Sequence, residues 1–157
     1  MPRKYVSTER FLIQDPRFQS KLASRFINCL MHDGKKTTAQ HVFYEAMELL
    51  QKKIPDQPPL DAFGQALQNV KPMVEVRSKR VGGATLQVPH EVKKNRQQSL
   101  AIRWLIDNAR KKKGKPMSKR LAEEITDAFN GTGASVQWKE QVHKMAEANK
   151  AYAHYAN

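Results

Sequence analysis

Apolar positions recur at helical spacing over most of the chain. Leu22, Phe26 and Leu30 stand four residues apart, which puts them on one side of a helix. Ser20 ahead of them suits a side-chain N-cap, and Gly34 beyond them a stop. Ala39, Val42, Phe43, Ala46, Met47 and Leu50 define a second helix, opened by Thr37 or Thr38 and stopped by Pro55. The stretch "PPLDAFGQALQNV" predicts a third, with prolines at its start and Phe63, Ala66, Leu67 and Val70 inward. Its Gly64 costs about 1 kcal/mol of helix propensity against alanine. "SLAIRWLIDNAR" predicts a fourth helix with Leu100, Trp104 and Leu105 in the core, and "SKRLAEEITDAF" a fifth with Leu121, Ala122, Ile125 and Phe129. Beyond "NGTG", a sixth carries Trp138, Val142, Met145, Asn149 and Tyr152 on one side.

The period changes between the third and fourth helices. Residues 73–88 contain Gly82-Gly83 between runs rich in Val, Thr and Leu, the signal of a two-residue hairpin turn, and Pro89 marks the exit. The fold class expected is mainly α: a six-helix bundle with one protruding β-hairpin between helices three and four. Residues 1–157 read as a single domain without internal repeats, of which 1–19 form an extended basic arm. At about six residues a strand and ~3.3 Å per residue, the hairpin tip reaches roughly 20 Å from its base. A two-stranded ribbon is marginally stable alone, so this one needs a partner.

Charge says what kind of partner. The chain has 28 Lys and Arg against 15 Asp and Glu, a net +13 in 157 residues, which favours a polyanion. A membrane is the weaker reading. No apolar run approaches the ~20 residues of a bilayer span, and the opening "MPRKYVSTER" lacks the apolar segment of a signal peptide. The single cysteine, Cys29, excludes an internal disulfide and reads as a small buried hydrophobe in a cytoplasmic protein.

The surplus is segregated. Acids outnumber bases from Thr37 to Gln65 and again from Leu121 onward. The cations concentrate in five runs: the arm, the Lys35-Lys36 turn, the ribbon, helix 93–110 and loop 111–120. One such run is ordinary solvated surface. Five, with most of the acid elsewhere, argue for a continuous footprint on phosphate.

Catalytic chemistry finds no support. The five histidines match neither H-E-x-x-H nor a Cys-His metal spacing, and no P-loop or G-x-S-x-G occurs. "GTGAS" follows a helix and lacks the lysine of a phosphate loop, so it reads as a helix stop. No enzyme activity, metal or cofactor is therefore expected. A helix-turn-helix reading of residues 121–145 fails on charge. Its recognition helix sets Lys139 and Lys144 against Glu140 and Glu147. A DNA-bending β-arm would need an apolar wedge, which a Gly-Gly tip does not supply. Aromatic-studded strands are also missing, so cationic arms and turns on a folded RNA fit best.

"EVRSKRVGGATLQVP", "LAIRWLI", "DGKK" and "VHKMAEANKAYAHY" resemble, in order and spacing, the signatures of the bacterial form of ribosomal protein seven of the small subunit. The resemblance covers nearly the whole chain. It implies a primary binder of the 3′ major domain of 16S rRNA that nucleates assembly of the subunit head. It further implies a place at the subunit interface near the decoding centre, with the ribbon beside exit-site tRNA and the mRNA exit path. Ribosomal proteins nine and eleven would be neighbours. Carried over by position, Arg3, Lys4, Arg10, Lys35, Lys36, Arg77, Lys79, Arg80, Arg96, Arg103, Lys111, Lys112, Lys113 and Lys115 fall on rRNA-facing segments. Lys93, Lys94 and Arg110 complete the candidate set from helix 93–110, and Arg80, Val81, Gly82, Gly83 and Ala84 form the tRNA-proximal tip. The sequence departs from the family's pattern at Leu86, where Tyr is usual, at Lys94-Asn95-Arg96, at Gln137-Trp138 and at Ala156-Asn157.

Overall fold

The structure, a computed structural model, describes residues 11–156. Six α-helices run in chain order: α1 (Lys21–Leu30), α2 (Lys36–Lys53), α3 (Pro59–Val70), α4 (Lys94–Lys111), α5 (Met117–Phe129) and α6 (Ala134–Ala148). Strands β1 (Val74–Val81) and β2 (Ala84–Glu91) form an antiparallel hairpin between α3 and α4. A seventh helix, the 3-10 segment Lys150–Ala156, follows α6.

The bundle closes on a ring cluster. Phe26 of α1, Phe43 of α2 and Phe63 of α3 are all fully buried, with centroids 5.0 to 5.6 Å apart and edge-on or tilted planes, the favoured aromatic arrangement. Helix α5 packs against α2, α3 and α4 through buried Leu121, Ala122, Ile125 and Ala128. Ser20 caps α1, accepting from the Ala23 amide at 3.4 Å, and Pro59 occupies the first turn of α3. Ahead of α1, the buried Asp15 accepts from the Tyr44 hydroxyl at 2.8 Å and from two backbone amides at 3.1 Å. Lost hydration, and then that hydrogen bond, push the Tyr44 pKa up to about 12.

Several expectations need correction. Helix α2 opens at Lys36, with Lys35 as its cap residue and no side-chain capping bond from a threonine. Cys29 is exposed, because the buried side of α1 is taken by Ala23, Phe26, Ile27 and Leu30. In α6 the buried positions are Ser135, Val136, Val142 and Ala146. Trp138 (41%) and Met145 (42%) are exposed, and so is Tyr152, beyond the end of the helix. At 3.6 residues per turn, Trp138 lies roughly 60° from Ser135, at the margin of the buried arc. Trp104 is only partly buried.

The ribbon is also longer than its turn signal implied. Pro89 lies inside β2 opposite Val76, and pairing runs from Val81↔Ala84 to Val74↔Glu91. Gly82 and Gly83 have φ of +56° and +87°, both in the left-handed region their turn demands. Nor does the hairpin stand alone. The closing 3-10 helix packs along β2, and Lys79 Nζ donates to the Tyr155 carbonyl at 2.7 Å. At its base the Met73 amide donates to His143 Nε2 of α6 at 3.1 Å.

Candidate nucleic-acid interface

Helix α4 carries the central feature. Arg96, Arg103 and Arg110 stand seven residues apart, just under two helical turns, so they form one line along the exposed side. The opposite side buries Ala101, Ile102, Leu105 and Ala109. Arg25 of α1 faces this line. Together Arg25, Arg103 and Arg110 border a groove of about 500 Å3 between α1 and α4, with Cys29, Ser99 and Asp107 on its walls. Partial loss of hydration on the groove wall raises the Cys29 pKa more than Arg25 and Arg103 lower it, so the thiol stays protonated among three guanidiniums.

Arg110 joins that groove to a second. It lines a hollow of about 310 Å3 with His32, Lys35 and Arg120, where α1 ends and α2 and α5 begin. The Arg110 guanidinium donates to the Leu30 carbonyl at 3.2 Å, so it also closes the C-terminus of α1. Arg120 donates to the Lys112 and Arg110 carbonyls at 2.5 and 3.2 Å, which satisfies the open end of α4. The resulting surface runs from the ribbon base along α4 to the exposed Lys35-Lys36 turn.

The basic loop after α4 is built differently. Lys112 Nζ lies 2.8 Å from Glu124 Oε2 and 3.3 Å from Asp127 Oδ2. Glu124 is wholly buried, and its other oxygen accepts from the Ser135 amide at 2.9 Å and hydroxyl at 2.7 Å. Burial opposes the Lys112 charge, but the hydrogen bonds and charges of Glu124 and Asp127 outweigh it and raise the pKa. Lys115 pairs with Glu123 at 2.5 Å, a hydrogen bond that lowers the Glu123 pKa. Lys111 sits 5.6 Å from the Trp138 ring centroid, while Lys113 is exposed.

On the ribbon, the nearly buried Glu75 accepts from Arg77 Nε at 2.7 Å and faces Arg96 Nε at 3.4 Å. One acid thus ties the first strand to the start of α4 and fixes two of the candidate cations beside each other. Lys93, Lys94 and Arg80 are exposed, Arg80 opposite Thr85 next to the tip. Arg3, Lys4 and Arg10 lie outside the described residues.

The structure therefore brings Arg96, Arg103, Arg110 and Lys35 onto one surface and draws Lys112 and Lys115 toward acids. Arg25 escaped the sequence reading, and Arg120 fell within the basic run 111–120 without being singled out. Arg25 was legible in principle, since Lys21, Arg25 and Cys29 form the polar side of α1 at four-residue steps. The role of Arg120 was not, because its acceptors are backbone carbonyls. Among the described residues, no group of three or more His, Cys, Asp or Glu could hold a metal, and no helix is long and apolar enough to cross a membrane.

Residues 2–150 match the family profile described as ribosomal protein S7p/S5e. The protein named small ribosomal subunit protein uS7 of Lawsonia intracellularis is 55% identical over 155 residues, covering 99% of both chains. Its namesake in Rhodopirellula baltica is 54% identical over 154 residues, covering 98% of both. That of Thermodesulfovibrio yellowstonii is 52% identical over 155 residues, covering 99% of both. With the profile and the relatives alike spanning almost its full length, the chain belongs to the ribosomal protein S7p/S5e family, in its bacterial form.

Proposed function

We propose that the protein is a structural constituent of the small ribosomal subunit in the bacterial cytoplasm, and that its α1–α4 surface binds 16S rRNA. The family is non-enzymatic and rRNA binding is typical of it. The observation that carries the reading for this chain is Arg103 and Arg110 facing Arg25 across an open groove, with Arg96 on the same side of α4. Guanidiniums bind phosphate in bidentate fashion and keep their charge at any physiological pH. Several spaced along one helix suit backbone phosphates approaching from a folded RNA, and the Lys35-Lys36 turn extends that contact.

The finer reading is that the 3′ major domain of 16S rRNA is the primary target, bound early enough to nucleate head assembly. The ribbon serves a second ligand. Arg80 and the flanking Val81, Gly82, Gly83 and Ala84 stand at its tip, where two residues without side chains let a nucleic-acid backbone come close. Exit-site tRNA and the mRNA exit path are the partners assigned to it, and ribosomal proteins nine and eleven the protein neighbours.

A gel-shift comparison of a head-domain rRNA fragment with duplex DNA of equal charge tests the reading. The rRNA is expected to bind at least tenfold tighter at physiological salt, and equal affinity for both would sink it. For the ribbon, replacing residues 80–85 by Asn-Gly keeps the turn chemistry. Subunits carrying the shortened chain should retain normal occupancy and release deacylated tRNA faster. An unchanged off-rate at normal occupancy would remove tRNA from the ribbon's partners.

A further inference from the structure

Between α4 and α6 lies a small open cleft of about 160 Å3, bordered by Arg103, Trp104, Asp107, Asn108, Lys111 and Trp138. It is the place where both tryptophans of the chain meet one surface. We propose that this cleft is a nucleotide subsite, in which an unpaired RNA base stacks on Trp138 while its phosphate is held by Arg103 and Lys111. The proposal rests on the rRNA-binding reading and adds a base contact to what is otherwise a phosphate-binding surface.

Three observations combine. Trp138 keeps 41% of its surface exposed although it lies beside a packed helix. Its neighbours in α6 explain the exposure: Ser135 and Val142 turn toward the bundle, and Trp138 falls at the edge of that arc. What lies over the ring is the Lys111 ammonium, 5.6 Å from the centroid. A cation–π contact at an exposed site is weak, whereas a base stacked on an aromatic ring is held more strongly. A base can therefore displace Lys111 from the ring, and the ammonium, still within reach of Asn108 Oδ1, then meets phosphate.

Charge complementarity fixes the class of ligand. Arg103 borders both this cleft and the α1–α4 groove, so a strand following the arginine line passes the indole within one side chain's reach. The rim also carries Asp107, an exposed carboxylate that accepts hydrogen bonds only. Asn108 offers little, since its amide already donates to Ser135 and its carbonyl oxygen accepts from Lys111. A base presenting N–H donors at its edge is favoured on that ground.

The test uses the full chain and the head-domain rRNA fragment, with wild type, Trp138→Ala, Trp138→Phe and Trp138→Lys. Thermal melts establish that all are folded. Stacking predicts about 5- to 150-fold weaker binding for Trp138→Ala, substantial rescue by Trp138→Phe, and an unchanged slope of affinity against salt for both. Trp138→Lys separates stacking from charge. It should steepen the salt slope yet bind more weakly than wild type at high salt, where phosphate contacts fade. Ultraviolet irradiation of the wild-type complex should crosslink RNA to the peptide containing Trp138. Trp138→Ala binding as tightly as wild type, without that crosslink, overturns the subsite and leaves the indole for a protein neighbour, while the rRNA-binding reading stands. Failure of wild type itself to prefer rRNA over duplex DNA overturns both.

Discussion

Arg103 and Arg110 on α4 and the lysine-rich loop that follows them are equally basic in sequence and opposite in construction. Arg103 and Arg110 border open grooves. Lys112 reaches back to a wholly buried Glu124 and on to Asp127, and Lys115 to Glu123. Density of positive charge therefore does not measure capacity to bind an anion. A lysine already satisfied by a buried carboxylate holds the fold, and its release would strand that carboxylate in the interior. Arginines gathered at the edge of an open groove, with Asp107 the one acid on its wall, still present net positive charge to a phosphate.

The largest effect is expected at Lys112. Lys112→Ala leaves Glu124 buried with two Ser135 donors and no counter-charge. Removing one partner of a buried pair costs about 3–5 kcal/mol, and the partial exposure of Lys112 sets the expectation near ~3 kcal/mol. Urea denaturation reads it, and the slope of RNA affinity against salt should stay put. A variant of normal stability with a reduced salt slope would mean that Lys112 belongs with the arginines.

Gly133 probes the same network from the other side. It caps α6 at φ +90°, and a Cβ there would stand 2.7 Å from the Cβ of Asp127, the second acid on Lys112. Gly133→Ala should cost roughly 2 kcal/mol, from backbone strain and displacement of Asp127 together. A variant within ~0.5 kcal/mol of wild type would show that the turn relaxes freely.

Arg103→Ala should do the opposite of Lys112→Ala. Stability should change by less than ~0.5 kcal/mol, as for surface positions generally. The salt slope of rRNA binding should fall by about one unit for one lost phosphate contact. Filter binding across a range of potassium chloride measures it, and an unchanged slope would take Arg103 out of the interface.

The smallest effect concerns pH at the foot of the ribbon. Burial, then the nearby Lys139, lower the His143 pKa, and the neutral ring accepts the Met73 amide. The unfolded chain thus binds this proton more readily than the folded one. The stabilisation is complete above the ordinary histidine value near ~6.5 and is lost as pH falls through the lower folded value. His143→Gln should flatten the fall in melting temperature below that pH, and no change in slope would absolve His143.

Local signals were read well from the sequence. Ser20 as a cap, the Pro58-Pro59 start, the Gly82-Gly83 turn and the inward positions of α2, α3 and α5, except the partly buried Val42 and Phe129, are each decided within one or two turns of chain. What escaped depends on distant partners. The acid that claims Lys112 lies in the next helix, and the serine that holds that acid lies in the one after. Cys29 and Trp138 fit an apolar stripe by spacing, but which edge of the stripe a neighbour covers is a property of the packing. Pro89 looked like a strand end because proline cannot donate to a ladder, yet an edge strand with one unpaired side accommodates it. The basic surface was legible as five runs of charge. Its continuity was not, since Arg25 and Arg103 meet only after α1 and α4 pack.

The bond from Lys79 to the Tyr155 carbonyl spans 76 residues of chain, and that separation has a temporal meaning. Synthesis proceeds from the N-terminus at about 5–20 residues per second, so the hairpin is made several seconds before the segment that splints it. During that interval the ribbon has its turn and its cross-strand pairs but no support along β2. The finger is thus locked later than its own strands are made, and its rigidity depends on residues 150–156 having arrived.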